Sequence, residues 1–428
     1  MKCASHMGEW KVVMIWKSEV FVKMIKYTIE MIKKIAMAVM VAVWMVSCMG
    51  NRSGKASDGK VSEETLPVLE AMDGDLFLLV GTYTSEEGSK GIYLYRFNAD
   101  RGNSAPISMV EVENPSYLTL SPDERFIYSV SENNESGSMV SAFSFDKQSG
   151  KIELLNSSPV NSDGPCYITI DSKGRNVHTA NYGGGTITSF QVKGNGSFTS
   201  AVSMISFKGS GPDSVRQKRP HLHSVRYSPD GQYLFAADLG SDKLYRFDVN
   251  DTPFEGQPGL LDNSLKEFVM PAGTGPRHFD FHPDGGRYLY LLGELSGEVI
   301  VFDYAFGQLT QKQIIAADTT DARGSADIHV SPDGRFLYAS NRLQADGIAI
   351  FSINPDDGTL TRVGYQPTAT HPRNFVITPN GKFLLVAGRD DNKIQVFRID
   401  TETGLLTDTY QDIDLSKPVF LKFAGIME

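Results

Sequence analysis

One turn signature recurs along the chain and limits the folds that the chain can adopt. It reads SPDER, DSKGR, SPDGQ, HPDGG, SPDGR and TPNGK, starting at residues 121, 171, 228, 282, 331 and 378, at intervals of 50, 57, 54, 49 and 47 residues. Pro presets φ and Gly tolerates positive φ, so the copies that carry both predict tight turns. An internal period of about 50 residues indicates a repeat architecture.

The runs around each turn have the composition of short β-strands. In one repeat PRHFDF precedes the turn and YLYLL follows it. A further run carries an aromatic at one register in seven repeats, at Tyr95, Phe143, Phe190, Phe247, Phe302, Phe351 and Phe397. No segment has a convincing helical period, and four antiparallel strands per repeat is typical of a propeller. The sequence therefore predicts an all-β, seven-bladed β-propeller with four antiparallel strands per blade.

The two ends of the repeat region predict how the ring closes. There are six turns but seven aromatic positions, so the chain enters partway through the first blade, at residues 76–83. The missing strand reappears as PVFLKF at residues 418–423. A C-terminal strand that completes the first blade would leave no free sheet edge at the closure. We expect one propeller domain over residues 75–428.

The first 48 residues have the parts of a bacterial export signal. They hold seven Lys and three Glu, and an uncharged run over residues 35–46 leads to Ser47 and Cys48. A basic start, a short apolar stretch and a small residue are typical of a secretory signal, and the run is shorter than the roughly 20 residues that span a bilayer. Cys48 resembles the lipidated cysteine of a lipobox, although Leu is usual where Met45 stands. The stretch before Met31 is interpreted as an over-extended start.

This reading predicts the location and partners of the protein. Residues 49–74 are a Ser/Gly/Lys/Glu-rich tether between a lipid anchor at Cys48 and the propeller. We expect a periplasmic, monomeric lipoprotein that meets the membrane only through its anchor. A cytoplasmic protein is the alternative if the N-terminus is mis-assigned. The net charge of −10 argues against a nucleic-acid partner, because phosphates need a basic surface.

The register of the repeats predicts that polar residues converge at one mouth of the central channel. The first strand of each blade lines that channel, and in a hairpin its start lies beside the end of the second strand. The predicted strand starts are Ser116, Cys166, His223, Arg277, Ala326, Arg373 and Val419. The predicted strand ends are Glu132, Asn181, Tyr182, Asp238, Glu294, Asn341, Arg342 and Arg389. Titratable groups gathered in a concavity are typical of a binding or catalytic site.

Candidate roles follow from these positions. The catalytic candidates are His221, His223, Arg277, Glu294 and Arg342, and the substrate-binding candidates are Asn181, Tyr182, Asp238, His278, Asn341 and Arg373. The ring positions of Arg277 and Arg373 each follow a Pro, and such a pair suits a ligand that bears a carboxylate or phosphate. The alternative is that these groups only neutralise one another in a water-filled funnel. Because no Cys/His or carboxylate cluster has ligand spacing, we expect no metal and no cofactor.

Four ordered segments resemble a known family. They are RPHLHSVRYSPDGQYLFAADLGSDKLYRF, GPRHFDFHPDGGRYLYLLGELSGEVIVF, SNRLQADGIAIF and HPRNFVITPNGKFLLVAG. Together they are similar to the seven-bladed propeller lactonases, which include the propeller-type 6-phosphogluconolactonase and the fungal carboxymuconate cyclase, and the resemblance covers about residues 76–424. The family's proposed functional residues are a His after a Pro-His step, the Arg of GPRH, a Glu and a further Arg. They match His221 or His223, Arg277, Glu294, and Arg342 or Arg373.

The resemblance implies metal-free hydrolysis, or the reverse closure, of a lactone that bears an anionic group. The expected substrate is a sugar-acid lactone, foremost 6-phospho-D-glucono-1,5-lactone of glucose metabolism. Glu294 or a mouth His is the candidate base, and Arg277 the candidate electrostatic stabiliser. A carboxymuconate-type cyclase and a non-catalytic propeller that binds an anionic sugar or a partner at the cell envelope remain the alternatives.

Overall fold

The fold is a ring of seven antiparallel sheets, described by a computed structural model over residues 72–134, 137–250 and 256–426. Each sheet has four strands, and one carries an additional short strand at its outer side. This confirms the predicted seven-bladed, all-β propeller. The predicted signal segment, Cys48 and most of the predicted tether lie outside the described residues. In the described part of the chain, no helix has the length and apolar character needed to cross a membrane.

The strands follow the same order in every blade, from the channel outward. Blades one to four comprise β29 (Pro418–Gly425), β1 (Asp75–Thr82), β2 (Gly91–Asn98) and β3 (Ser104–Glu111); β4 (Leu118–Leu120), β5 (Phe126–Ser131), β6 (Met139–Asp146) and β7 (Lys151–Pro159); β8 (Pro165–Ile170), β9 (Asn176–Asn181), β10 (Thr186–Val192) and β11 (Phe198–Ser206); and β12 (Leu222–Tyr227), β13 (Tyr233–Asp238), β14 (Lys243–Val249) and β15 (Leu260–Val269). Blades five to seven comprise β16 (Pro276–Phe281), β17 (Tyr288–Gly293), β18 (Glu298–Ala305) and β19 (Gln308–Ala316); β20 (Ile328–Val330), β21 (Phe336–Asn341), β22 (Gly347–Ile353) and β23 (Leu360–Pro367); and β24 (Pro372–Ile377), β25 (Phe383–Gly388), β26 (Lys393–Ile399), β27 (Leu406–Asp408) and β28 (Ile413–Asp414).

The C-terminal strand closes the ring as the sequence predicts. β29 pairs antiparallel with β1, with Leu78 opposite Phe423 and Val80 opposite Leu421. Its other side contacts the inner strand of blade seven. Apolar packing reinforces this closure, because the Phe97 ring of blade one lies edge-on to Phe383 of blade seven at a centroid distance of 6.0 Å. The first and last blades are therefore held by both a hydrogen-bonded ladder and a shared core.

The recurring aromatic lies on the third strand of every blade and packs between blades. All seven side chains are buried, in hydrophobic clusters that each join two neighbouring sheets. In blades one to six the pairing with the outermost strand slips at or beside this residue. Such a bulge increases the local strand twist, which suits the fanned blades of a ring.

Candidate active site

Four residues at the predicted mouth are the extra residues of β-bulges. In blades three, four, five and seven the pairing of the first and second strands skips one residue: Cys166, His223, Arg277 and Arg373. A bulged residue leaves the ladder and its side chain is re-aimed. All four, with Ser116 and Val419, line one small cavity in the channel. The predicted convergence of strand starts is thus confirmed for six positions. The seventh, Ala326, contributes its carbonyl, which accepts a hydrogen bond from Arg277 Nη1.

Glu294 is the centre of the mouth. It directly follows β17, is 5% exposed and contacts three arginines. Its Oε2 lies 2.8 Å from Arg277 Nε and 3.4 Å from Arg342 Nη2, and its Oε1 lies 2.7 Å from Arg216 Nη2. Burial alone would raise the pKa of Glu294, but the three guanidinium charges outweigh it and lower that pKa to about 2. The carboxylate is therefore ionised at neutral pH, and three positive charges against one negative leave a net charge of +2 here.

Arg216 was not among the sequence candidates. It lies in the loop over residues 207–221, between β11 and β12. The Asp213 carboxylate accepts hydrogen bonds from the backbone N–H of Val215 and Arg216, at 2.8 and 2.9 Å. The fully buried Gln217 donates to Asp242 Oδ1 at 2.7 Å. The loop is thereby fixed over the mouth. A signal was present in the sequence, because this loop lies within the longest interval between turn signatures, the 57 residues from 171 to 228.

His221 and Tyr182 form one wall of the mouth. Their rings stack with centroids 4.4 Å apart, and the Tyr182 hydroxyl lies 3.2 Å from Arg216 Nη2. His221 Nδ1 lies 2.8 Å from the Tyr182 carbonyl oxygen. A carbonyl only accepts, so Nδ1 carries the hydrogen and Nε2 keeps its lone pair. Burial lowers the pKa of His221 below the usual value, so the ring is neutral at pH 7.

Arg373 belongs to a second charged group on the far side of the mouth. Its Nη2 lies 3.1 Å from Glu132 Oε2, and the Tyr83 hydroxyl donates to the same oxygen at 2.9 Å. The Arg373 guanidinium also lies over the Tyr83 ring, 5.5 Å from its centroid. An ion pair thus joins blades seven and two at the mouth, and the Tyr83 hydrogen bond adds blade one. The Arg373 guanidinium is therefore held in a fixed orientation by Glu132 and Tyr83.

The cavity floor contains two histidines and the thiol. The rings of His223 and His278 meet edge to face at 5.1 Å, and His223 Nδ1 lies 3.9 Å from Cys166 Sγ. Burial raises the pKa of Cys166 to about 12, so the thiol stays protonated and is a poor nucleophile. Burial, and next the Arg277 charge, hold the pKa of His223 well below its usual value. Both floor histidines are neutral at pH 7, because the pKa of His278 is also lowered, to about 4.

Three predicted substrate-binding residues face the protein instead of the mouth. Asn181 is fully buried and donates to the hydroxyls of two threonines at 2.8 and 3.0 Å. Asp238 accepts from the backbone N–H of His221 at 2.7 Å and from the Ser241 hydroxyl. Asn341 accepts from Ser325 Oγ at 2.6 Å and donates to a backbone carbonyl at 3.0 Å. Strand-end position did point to these residues, but the hydrogen bonds of their side chains stabilise the strand ends. Their direct contact with a ligand stays a prediction.

Arg342, in contrast, reaches the mouth from the end of the second strand of blade six. Its Nε donates to the Gly324 carbonyl at 2.8 Å and its Nη1 lies 3.3 Å from His371 Nε2. Burial lowers the pKa of Arg342 to about 9, so the guanidinium remains charged at neutral pH. Among the described residues, no group of three or more His, Cys, Asp or Glu side chains is placed to hold a metal ion.

Comparison with known proteins identifies the family. The model of the lactonase family with a seven-bladed β-propeller matches residues 77–423. The chain belongs to this family. A 6-phosphogluconolactonase of Formosa agariphila is 37% identical over 78% of this chain and 96% of its own length, and one of Bacillus subtilis is 36% identical over 80% and 97%.

Solved structures of proteins described as lactonases are also similar to this chain. A putative 6-phosphogluconolactonase from Bacteroides fragilis is 51% identical, with a TM-score of 0.80 over 83% of this chain and all of its own. A periplasmic gluconolactonase from Pseudomonas aeruginosa is 34% identical, with a TM-score of 0.77 over 82% of this chain and all of its own.

The mouth of this lactonase-family propeller offers three chemical resources. Guanidinium groups in a partly dry concavity stabilise a carboxylate, a phosphate or a developing oxyanion. Neutral histidines can accept a proton at pH 7. The cavity of about 10 Å³ beneath the mouth has room for about one water molecule. These are the components that hydrolysis of an anionic ester requires.

Proposed function

We propose that this protein hydrolyses a sugar-acid lactone, in the manner of a 6-phosphogluconolactonase. The observation that carries the proposal is the excess positive charge around Glu294, where Arg216, Arg277 and Arg342 share one carboxylate. A concave surface with this charge attracts an anionic substrate and stabilises the oxyanion that forms when water adds to its carbonyl. The curated 6-phosphogluconolactonases among its relatives support the same reaction class.

Within this reaction Arg277 is the candidate oxyanion stabiliser and Glu294 the residue that orients it. Glu294 is poorly suited to act as the base, because arginines contact both of its carboxylate oxygens. Tyr182, Arg216 and His221 line the side where a substrate enters. Arg373 is the candidate contact for a phosphate or carboxylate on the sugar, since its guanidinium is oriented by Glu132.

The test compares two lactones that differ in one phosphate. Acid release from 6-phospho-D-glucono-1,5-lactone and from glucono-1,5-lactone is followed with purified protein and corrected for spontaneous opening. We expect the protein to hydrolyse at least one of the two lactones. If Arg373 binds phosphate, kcat/KM should be higher for the phosphorylated lactone. Arg216→Met should lower kcat/KM, whereas the matched control Arg335→Met, at an exposed turn, should not. Binding of the lactones without turnover would favour a non-catalytic propeller, and turnover of muconates alone would favour a cyclase.

We further propose that the protein is exported and anchored through a lipid on Cys48, at the end of the predicted tether. The periplasmic gluconolactonase among the similar structures supports a periplasmic location. Fractionation of native cells should find the protein in the membrane fraction, and Cys48→Ala should release it or leave it unprocessed. Full-length wild-type protein in the cytosol would contradict this proposal and would strengthen the phosphorylated lactone as substrate.

A further inference from the structure

A water-sized cavity lies directly beneath the charged mouth. It measures about 10 Å³ and is lined in part by His223, Arg277, His278 and Arg373, and a space of that size holds about one water molecule. Arg277 connects the two levels, because it lines the cavity and its Nε contacts Glu294 at the mouth. A water in the cavity would therefore lie below a carbonyl bound at the mouth.

His278 offers this cavity an unoccupied proton acceptor. Its Nδ1 lies 2.7 Å from Asp327 Oδ1, and its Nε2 is buried with no hydrogen-bond partner among the described residues. Asp327 does not line the cavity, whereas His278 does. Nδ1 donates its hydrogen to the carboxylate, so Nε2 carries the lone pair on the edge of the ring away from Asp327. A buried nitrogen without a partner calls for a ligand or a water.

Asp327 is held in place from several directions. The backbone N–H groups of Ile328 and Phe375 donate to it at 3.1 and 3.3 Å, His329 Nε2 lies 3.0 Å away, and the Asn374 side chain also donates to it. Burial opposes ionisation, but the His329 charge and the hydrogen bonds from both histidines keep the pKa of Asp327 well below its usual value. A fixed, ionised carboxylate behind an imidazole sets the tautomer and stabilises the imidazolium.

We propose that His278, positioned by Asp327, is the general base that activates the hydrolytic water in this cavity. The proposal rests on the lactonase function proposed above. The water oxygen forms a bond to the lactone carbonyl carbon while His278 Nε2 takes a water proton, and Arg277 stabilises the oxyanion. The bond from that carbon to the ring oxygen then breaks. His278 returns the proton to the leaving alkoxide, which yields the open hydroxy acid and regenerates the base.

The other candidate bases lack this arrangement. His223 lines the same cavity, but its Nδ1 faces the Cys166 thiol at 3.9 Å and not a carboxylate. His221 is oriented by a backbone carbonyl, which has no full charge to stabilise an imidazolium. Among His221, His223 and His278, it is therefore His278 that combines an oriented tautomer with a counter-charge for the protonated ring.

The test uses the full chain and three variants. His278→Gln should lower kcat by about 10²–10⁴-fold with little change in KM. Asp327→Asn should lower kcat by about 10²-fold or more, because the amide favours the wrong tautomer. It should also move the acid limb of the kcat/KM profile to lower pH, since the imidazolium loses its counter-charge while Arg277 and Arg373 still face the ring. The control His282→Gln, at a turn where the ring bonds the Gly334 carbonyl, should keep wild-type kinetics.

Two results separate this inference from the function on which it rests. A wild-type protein that opens no lactone overturns the function itself. A wild-type protein that is active, with a folded His278→Gln variant of equal kcat, overturns only the assignment of the base. If His278→Gln does not fold, Asp327→Asn decides the matter. A merely structural Asp327 lowers the melting temperature but leaves the acid limb in place, whereas a positioning Asp327 moves it.

Discussion

The first and second strands of each blade form a hairpin with a turn at one end and the mouth at the other. Polar residues find their partners differently at these two ends. At the turn end, the Ser and the Asp of one turn signature form a hydrogen bond with each other. Ser228 Oγ donates to Asp230 at 2.6 Å, and Ser331 Oγ donates to Asp333 at the same distance. At the mouth end the partners are far apart in the chain: Arg373 and Glu132 are separated by 241 positions, and Arg216 and Glu294 by 78. The turn end repeats, whereas the mouth end differs from blade to blade.

This difference shows where the ring symmetry is used and where it is broken. The Ser–Asp pair of such a turn is satisfied within the turn, so one solution serves several blades. The mouth gathers single contributions from several blades around one cavity, and bulges at the first strands aim them there. A substitution at the mouth should therefore affect several blades and the chemistry, whereas a substitution at a turn should affect one hairpin.

The largest effect on stability is expected from Glu294→Gln. It leaves three arginines without their shared carboxylate, and removing one partner of a buried ion pair costs about 3–5 kcal/mol. The folded-state pKa of about 2 lies below the ordinary 4.5, so this stabilisation is complete above about pH 4.5 and is lost as the pH falls towards 2. Urea unfolding of variant and wild type from pH 7 downward measures it.

The matched control is Glu267→Gln. Glu267 lies on an outer strand, 2.7 Å from Lys243 Nζ and largely exposed, so the substitution should cost at most about 1 kcal/mol. If Glu294→Gln and Glu267→Gln lower the free energy of unfolding equally, the buried ion pairs of Glu294 contribute no more stability than an exposed pair on an outer strand.

The next effect concerns catalysis and compares two arginines of blade five. Arg277→Met removes the charge that we propose stabilises the oxyanion, and it should lower kcat by about 10²–10³-fold. Arg287→Met, at the turn of the same blade, removes an exposed partner of Asp284 and should leave kcat unchanged. Both are measured as lactone hydrolysis with the melting temperature recorded for each protein. A similar kcat in the two variants would remove Arg277 from the mechanism.

The features of the fold and site that the sequence predicts divide in the same way between the turn end and the mouth end. Turns, strand period and the number of blades come from contacts between residues close in sequence or repeated in it, so they were predicted correctly, as was closure by the C-terminal strand. The ring of Cys166, His223, Arg277 and Arg373 also followed from register. The bulges that orient those residues lie within single hairpins, but no sequence pattern marks the extra residue. The position of the Arg216 loop depends on a contact with Glu294, 78 positions away. Strand-end position predicts that Asn181 faces the mouth, but it does not determine the direction of the side chain, which bonds two threonines of the neighbouring strand in the same blade.

A smaller and repeated effect is expected at the turns. Ser228→Ala and Ser331→Ala each remove a hydroxyl that bonds an Asp and accepts the backbone N–H five residues later, at 3.1 and 2.9 Å. Each should cost about 1 kcal/mol, and the double variant should show the sum within about 0.5 kcal/mol. Urea unfolding gives the costs, and lactone hydrolysis should be unaffected. A double-variant cost that departs from the sum of the single costs, or any loss of kcat, would contradict the independence of the turn ends.

The smallest expected effect on stability is the loss of the exposed ion pair at a turn, and its dependence on salt can be compared with that of the buried ion pairs at the mouth. Arg335 Nε lies 2.8 Å from Asp333 Oδ2, with side chains 48% and 44% exposed, so Arg335→Met should cost at most about 0.5 kcal/mol. That cost should disappear in about 1 M salt, where the screening length falls to about 3 Å. The cost of Glu294→Gln should persist under the same conditions, because its carboxylate is shielded from solvent ions. The same salt dependence for both would mean that the mouth is as open to solvent as the turns, and the excess charge proposed to hold an anionic lactone would then be screened away.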